Sequence, residues 1–377
     1  MRVSEVVAEL EKLAPPSLAA GWDNVGLLVG DADEEVRKVL LCIDLTEPVL
    51  AEAARTGARM VMAYHPVIFK PIGRLTAQAA PAAYKAARAG LAVYSMHTAL
   101  DAAVGGTNDA LADLLGLTNR RPLEPSVGRD NCKIVTFAPP DDLSRVAEAA
   151  FAAGAGRIGN YYDCAFFAHG IGSFCGGEGS HPSIGLAGRH EATEEMRLEI
   201  VAPRNRAAAV CEAIRATHSY EAPVVDVYPL EDVPPGCGMG RIGRLARPTS
   251  APALITRLKR ATGLGNITVA LARGGGPNRA RPALTGLAKV TTAACAAGAC
   301  GDLYKAAVAG GATFLLTGEM RHHDALAATR AGLTVACLGH SNSERIALAG
   351  LAKRLSEMAP RLTVAVSQAD RDPFAVV

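Results

Sequence analysis

Histidines and carboxylates recur in this sequence at spacings that suit metal chemistry. His65 lies in AYHPVIF, His97 and Asp101 lie in HTALD, and His340 and Glu344 lie in GHSNSE. Imidazole and carboxylate are side chains that zinc, manganese or iron accept as ligands. Residues four apart share one helix face, so His340 and Glu344 can point at one ion. In the simpler alternative, His340 caps a helix and Glu344 stabilises the positive end of its dipole.

Each of these histidines follows a predicted β-strand. His65 lies at the end of the strand in RMVMAYHP, His97 at the end of LAVYSMH, and His340 at the end of TVACLGH. In open α/β sheets, ligands bind beyond the carboxyl ends of the parallel strands. A single histidine there could be a solvated or packed residue, but the recurrence favours a metal site at this edge of the sheet.

The order of apolar segments predicts an α/β protein with a different middle. Short apolar strands alternate with Ala-rich helices from 38 to 115, and the alternation returns from about 240, as in βα units with a largely parallel sheet. Between them, the order β-α-β-β-α-β is that of a ferredoxin-like module. We therefore predict a discontinuous α/β domain, residues 1–126 and 233–377, interrupted by an inserted α+β domain at 127–232.

Composition excludes several classes of protein. The chain of 377 residues carries 39 Lys+Arg against 37 Asp+Glu, so it has no overall basic field that would recruit nucleic acid. Its nine cysteines are scattered without CxxC spacing, which argues against a disulfide framework and a zinc ribbon. The N-terminal segment lacks the apolar run of a signal peptide, and no stretch reaches the roughly 18 apolar residues of a membrane span. We expect a cytoplasmic protein that binds neither membrane nor specific nucleic acid.

Six segments resemble, in order and spacing, the motifs of the Nif3-like (DUF34) family, also called GTP cyclohydrolase I type 2 homologues. They are WDNVGLLVG (22–30), AYHPVIF (63–69), HTALDAAVGGTNDALADLLGL (97–117), HSYEAPVVDVYPL (218–230), TGEMRHHDAL (317–326) and GHSNSE (339–344). The resemblance implies the long form of the family, in which a PII-like or CutA-like domain is inserted into the Nif3-like α/β domain. It also implies a homo-oligomer, expected to be a hexamer.

The resemblance further implies a site for one or two divalent ions per chain, with zinc, iron or manganese as candidates. His65 and Asp101 would bind one ion, His340 would bind the other, and Glu344 would bridge the two. Family members carry two adjacent histidines before the proline, whereas this chain has Tyr64 followed by His65. A neutral phenol is a poor metal ligand, so the second position is expected to be weak or empty.

Two more histidines match family positions that line the same cleft, namely His97 and His323. Imidazole titrates near neutral pH, so both are candidates for moving protons during catalysis, although either could instead orient a carboxylate ligand. The implied function is a metal-dependent hydrolase of the GTP cyclohydrolase I type 2 kind, acting on a nucleotide or another phosphorylated small molecule. The alternative is a regulatory or metal-handling protein whose PII-like insertion senses a ligand or partner.

The substitution at Tyr64 leads to a prediction about metal stoichiometry. The wild-type chain should hold about one tightly bound ion, and Tyr64→His should raise the content towards two, because imidazole is a far better donor than a neutral phenol. Elemental analysis of both proteins after identical dialysis against a weak chelator measures this. Two ions per chain in the wild type would contradict the expectation.

Overall fold

The structure, a computed structural model, describes residues 1–126, 131–231, 235–272 and 289–375. Spatial proximity divides the chain into two units, Met1–Ser126 with Pro234–Val377, and Val127–Val233. The first unit is discontinuous in sequence, and the second is the segment between its two parts. Within the described ranges, no helix is long and apolar enough to cross a membrane.

The first part of the discontinuous unit alternates strands and helices, as its apolar segments predict. The interiors of β2, β3 and β4 are buried, which is typical of parallel strands covered on both faces. The elements are α1 (Val3–Leu13), β1 (Gly26–Val29), β2 (Lys38–Cys42), α2 (Glu47–Thr56), β3 (Met60–Ala63), α3 (Pro81–Arg88), β4 (Ala92–Ser95), α4 (His97–Ala102), α5 (Thr107–Leu115), β5 (Leu117–Arg121) and β6 (Glu124–Pro125).

The second unit has the element order β-α-β-β-α-β. It consists of β7 (Asn131–Ala138), α6 (Leu143–Ala152), β8 (Ala165–Cys175), β9 (His190–Pro203), α7 (Ala207–Thr217) and β10 (Val225–Pro229). Its sheet is antiparallel, with the spatial order β10-β7-β9-β8. The Gly-rich sequence after α6 forms the long edge strand β8. Val146 of α6 and Val210 of α7 belong to the same buried core as Leu198 of β9.

The chain then returns to the first unit. Its elements are β11 (Gly238–Met239), β12 (Arg241–Thr249), α8 (Ala251–Thr262), β13 (Thr268–Ala270), β14 (Val290–Ala299), α9 (Leu303–Ala309), β15 (Phe314–Glu319), α10 (His322–Arg330), β16 (Thr334–Cys337), α11 (His340–Met358) and β17 (Thr363–Val366). The mixed α/β class predicted from the sequence is therefore confirmed.

Two sheets of the first unit are joined by α11. One has the order β1-β4-β3-β2-β17, with β17, β2, β3 and β4 parallel, and the other has the order β13-β16-β15-β14-β12-β5, with β14, β15 and β16 parallel. Helix α11 contacts β2 and β17 of the first sheet and β14 and β15 of the second. Leu348, Leu351 and Leu355 bury its apolar side in the core of the first sheet. Residues at the start of α11 can therefore meet residues from both sheets.

A buried ion pair ties the two parts of this unit together. The Arg241 side chain is 2% exposed and donates to both carboxylate oxygens of Asp109 at 3.0 Å. Its remaining donors reach the carbonyls of Gly238, Gly240 and Ala103 at 2.7 to 2.9 Å. Burial alone would raise the pKa of Asp109, but the Arg241 guanidinium outweighs it and holds that pKa below its usual value. Arg241 has the dense set of acceptors that a buried cation requires.

Candidate metal centre

Two imidazoles converge on one buried carboxylate. His65 follows β3, whereas His340 and Glu344 lie in the first turns of α11. Nε2 of His65 is 3.3 Å from Oε2 of Glu344, and Nε2 of His340 is 3.2 Å from Oε1 of the same carboxylate. One potential ligand atom from each residue lies within 4.8 Å of the other two. The structure thus brings together three of the four ligands predicted from the sequence.

The opposite nitrogen of each imidazole is held by a second carboxylate. Nδ1 of His65 lies 2.9 Å from Oδ1 of Asp44, and Nδ1 of His340 lies 3.0 Å from Oε1 of Glu319. A carboxylate on Nδ1 fixes the ring orientation and the tautomer, and it makes Nε2 a better metal donor. Both rings therefore present Nε2 to the same small volume beside Glu344, which is the arrangement of histidines that bind a metal.

The pKa values of the three groups follow from this geometry. Burial alone would lower the pKa of His65, but the carboxylates of Asp44 and Glu344 raise it to about 10. Glu344 is the main cause that raises the pKa of His340 to about 9. Burial alone would raise the pKa of Glu344, but the two imidazoles lower it below its usual value. In the metal-free protein the cluster is thus an anion between two protonated imidazoles.

Glu344 is 2% exposed, so its carboxylate is shielded from solvent. Oε2 of Glu344 is buried and has no aligned hydrogen-bond donor among the described residues, although His65 lies 3.3 Å away. Gly298 closes the other side of the carboxylate, because a Cβ there would lie 2.7 Å from Oε1. Two imidazole nitrogens and a buried carboxylate oxygen match the His₂Glu donor set of catalytic zinc sites, which keep a fourth position open.

Asp101, the fourth predicted ligand, lies next to this group but outside it. Its Oδ1 accepts a hydrogen bond from the hydroxyl of Tyr64, a fully buried side chain. Burial raises the pKa of Asp101 to about 6, and burial likewise raises the pKa of Tyr64 well above its usual value. Tyr64 is therefore a neutral donor that engages one oxygen of Asp101. The role of Asp101 as a ligand stays a prediction.

The two predicted proton carriers have different surroundings. Nδ1 of His97 lies 2.8 Å from Oδ1 of Asp23, and the His97 ring lies edge-on to that of His65 with centroids 5.4 Å apart. The backbone of His97 has φ of +27°, a conformation that is uncommon outside glycine and is often found at functional sites. His323 is exposed at the start of α10, where its ring packs against His322. The structure places His97 beside the cluster, and the role of His323 stays a prediction.

Sequence reasoning missed three carboxylates that orient the histidines, namely Asp23, Asp44 and Glu319. A usable signal existed for two of them. Asp44 follows β2 and Glu319 ends β15, so both obey the strand-end rule that identified His65 and His340. Asp23 precedes β1 in the segment WDNVG, and its pairing with His97 depends on a contact between residues 74 positions apart. No local pattern predicts such a contact.

Gly298 provides a test with a matched control. Gly298 and Gly301 have similar positive φ values of 59° and 53°, but only a Cβ at Gly298 would meet Glu344 and His340, whereas nothing lies within 4 Å at Gly301. Both Ala variants should lose about 1–2 kcal/mol of unfolding free energy from backbone strain. Gly298→Ala should in addition displace Glu344 and reduce bound zinc, as measured by elemental analysis and urea unfolding. Equal zinc content in both variants would contradict the assignment of Glu344.

Comparison with known proteins relates the sequence of this chain to a family. A family model described as Duf34/NIF3 (NGG1p interacting factor 3) matches residues 1–373. The protein is 33% identical to a GTP cyclohydrolase 1 type 2 homolog of Halalkalibacterium halodurans, over 99% of this chain and 98% of that one. It is 30% identical to a protein of the same name from Bacillus subtilis, over 98% and 97% of the two chains.

Solved structures agree with this result. A Bacillus cereus protein related to NIF3 has 32% identity and a TM-score of 0.72, with 100% of this chain and 99% of that chain covered. A Staphylococcus aureus protein with 24% identity and a TM-score of 0.78, covering 100% of this chain and 99% of its own, shares the fold. With the family match spanning nearly every residue, the chain belongs to the Duf34/NIF3 family.

Proposed function

We propose that this protein is a metal-dependent hydrolase that holds one divalent ion with His65, His340 and Glu344. The observation that carries the proposal is the orientation of the two imidazoles, each held at Nδ1 by a carboxylate and each turned with Nε2 towards Glu344. Zinc, iron and manganese all accept this donor set. When bound, such an ion lowers the pKa of a coordinated water to about 7 and so supplies a nucleophile at neutral pH.

The residues around the ion have separate tasks in this proposal. Asp44 and Glu319 hold the ligand rings in place. Asp23 fixes His97 through Nδ1, which leaves Nε2 of His97 to accept or return a proton beside His65. Because Asp23 is bonded to His97 and Thr98, its pKa falls to about 2 despite its burial, so Asp23 stays charged and keeps the His97 ring fixed. We assign the proton carrier to His97 rather than to the exposed His323.

A cleft next to the cluster supports an anionic substrate. Its volume is about 430 Å³, and its lining includes His65, Asp44, Thr46 and Arg371. Arg371 is exposed, so its guanidinium is accessible to a ligand in the cleft. A guanidinium recognises phosphate or carboxylate groups well, since its donors match their oxygens. We therefore propose a phosphorylated small molecule as the substrate, and the names of the relatives suggest GTP as the first compound to test.

The proposal also covers the second unit and the oligomeric state of the protein. We propose that residues 127–232 form a ferredoxin-like insertion of the PII or CutA kind, because the order of its elements is that of such modules. The homo-oligomer implied by the resemblance, a hexamer, stays a prediction, and so does a location in the cytoplasm.

The proposal is tested by assaying hydrolytic opening of the guanine ring, in GTP and in guanosine, with the zinc-loaded protein. GTP should be turned over, and His65→Ala should abolish the activity. Arg371→Gln should raise KM for GTP about tenfold to a hundredfold with little change in kcat, because a hydrogen bond to a charged group contributes about 1.5–3 kcal/mol. Guanosine, which lacks the phosphates, should be a poor substrate for the wild type and for Arg371→Gln.

Arg361→Gln is the matched control. Arg361 is also exposed, but it precedes β17, whereas Arg371 follows the carboxyl end of that strand. Its KM should equal that of the wild type. Absence of turnover by the zinc-loaded protein, or turnover that survives His65→Ala, would refute the hydrolase proposal. An unchanged KM in Arg371→Gln would refute only the phosphate assignment.

A further inference from the structure

The second unit contains a cleft of its own. Its volume is about 320 Å³, and it lies over the end of β8, where the chain turns through 176–184 and the segment 220–224 approaches. Apolar side chains form most of its wall, namely Phe137, Phe174, Ile184 and Val224. Small-molecule sites typically have this size and an apolar wall with a few placed polar groups.

One of the polar groups is a carboxylate held in a defined position. The hydroxyl of Tyr220 donates to Oε1 of Glu195 at 2.8 Å. The other oxygen, Oε2, lies directly over Gly172 of the neighbouring strand, where a Cβ would be only 2.1 Å away. The absence of a side chain at Gly172 therefore provides the space that the carboxylate occupies at the edge of the cleft.

The charged side chains that line the cleft are acidic. Glu195 and Glu221 both line it, and its described lining includes no lysine or arginine. Arg197 lies beside this wall without lining the cleft, since its guanidinium is 5.5 Å from the ring centre of Phe137 and donates to Glu199 at 2.8 Å. Glu221 accepts from the backbone N–H of His181 at 2.8 Å. Glu195 is thus a carboxylate beside an aromatic wall with no cationic side chain lining the same cleft.

We propose that this cleft binds a small organic cation with an apolar body, its ammonium or guanidinium group on Glu195 and its body against Phe137 and Phe174. A charged donor on a carboxylate forms a hydrogen bond about twice as strong as a neutral one. The faces of aromatic rings attract cations, and the apolar wall buries the rest of the molecule. The second unit is then a ligand-binding module in its own right, independent of the metal centre.

The experiment measures binding of phenethylammonium to the full-length protein by ligand-observed NMR, with 2-phenylethanol as the uncharged counterpart of similar shape. The amine should bind at millimolar concentration, and the alcohol should bind at least tenfold more weakly. Glu195→Gln should weaken binding of the amine about tenfold to a hundredfold, since it removes a charge-assisted hydrogen bond. Tyr220→Phe, which keeps the charge but frees the carboxylate, should weaken it less.

Glu194→Gln is the matched control, because Glu194 precedes Glu195 on the same strand but is exposed and pairs with His169 rather than lining the cleft. Its affinity for the amine should equal that of the wild type. Thermal unfolding of each variant confirms that it is folded, and Tyr220→Phe replaces Glu195→Gln as the decisive variant if the latter is not. Failure of the amine to bind, equal binding of the alcohol, or unchanged affinity in the decisive variant would overturn the proposal.

Discussion

The buried carboxylate of Glu344 is the constraint on which the site depends. Moving an ionised carboxylate out of water costs several kcal/mol unless partners compensate it, and Glu344 is 2% exposed. Among the described residues, its charged partners are the two imidazoles, and Oε2 has no aligned hydrogen-bond donor. A charge this deeply buried requires either two protonated histidines or a metal ion. Because the pKa values of His65 and His340 are raised, both imidazoles are protonated without a metal ion, and their positive charges compensate the carboxylate of Glu344.

The fold of the first unit follows from the need to bring these residues together. His65 comes from the carboxyl edge of one parallel sheet, and His340 follows a strand of the other. Helix α11 packs against both sheets, so its first turns place Glu344 between the two edges. The last strand, β17, pairs with β2 across nearly the whole length of the sequence. Both parts of the discontinuous unit are therefore needed to complete the first sheet and to assemble the cluster.

Much of this organisation could be predicted from the sequence, for identifiable reasons. Apolar periodicity located the strands, and the strand-end rule selected His65 and His340, because both signals are local. Pairings between distant side chains are not local, which is why Asp44, Glu319 and Asp23 were missed as partners of the histidines. The sequence predicts that Tyr64 weakens the second metal position, because it replaces a histidine ligand. The structure adds a second effect, because its hydroxyl engages Asp101. His323 matches a family motif and is exposed at the start of α10, so its role stays a prediction.

The most direct measurement is a calorimetric titration of the metal-free protein with zinc at about pH 7.5, in two buffers that differ in their enthalpy of protonation. Since the pKa values of His65 and His340 are about 10 and about 9, Nε2 of each imidazolium carries a proton before the metal binds. Both must lose it to become ligands, so the account predicts binding of about one ion with release of roughly two protons. Zinc binding with no release of protons, or no zinc binding at all, would contradict the assignment of His65, His340 and Glu344 as a metal centre.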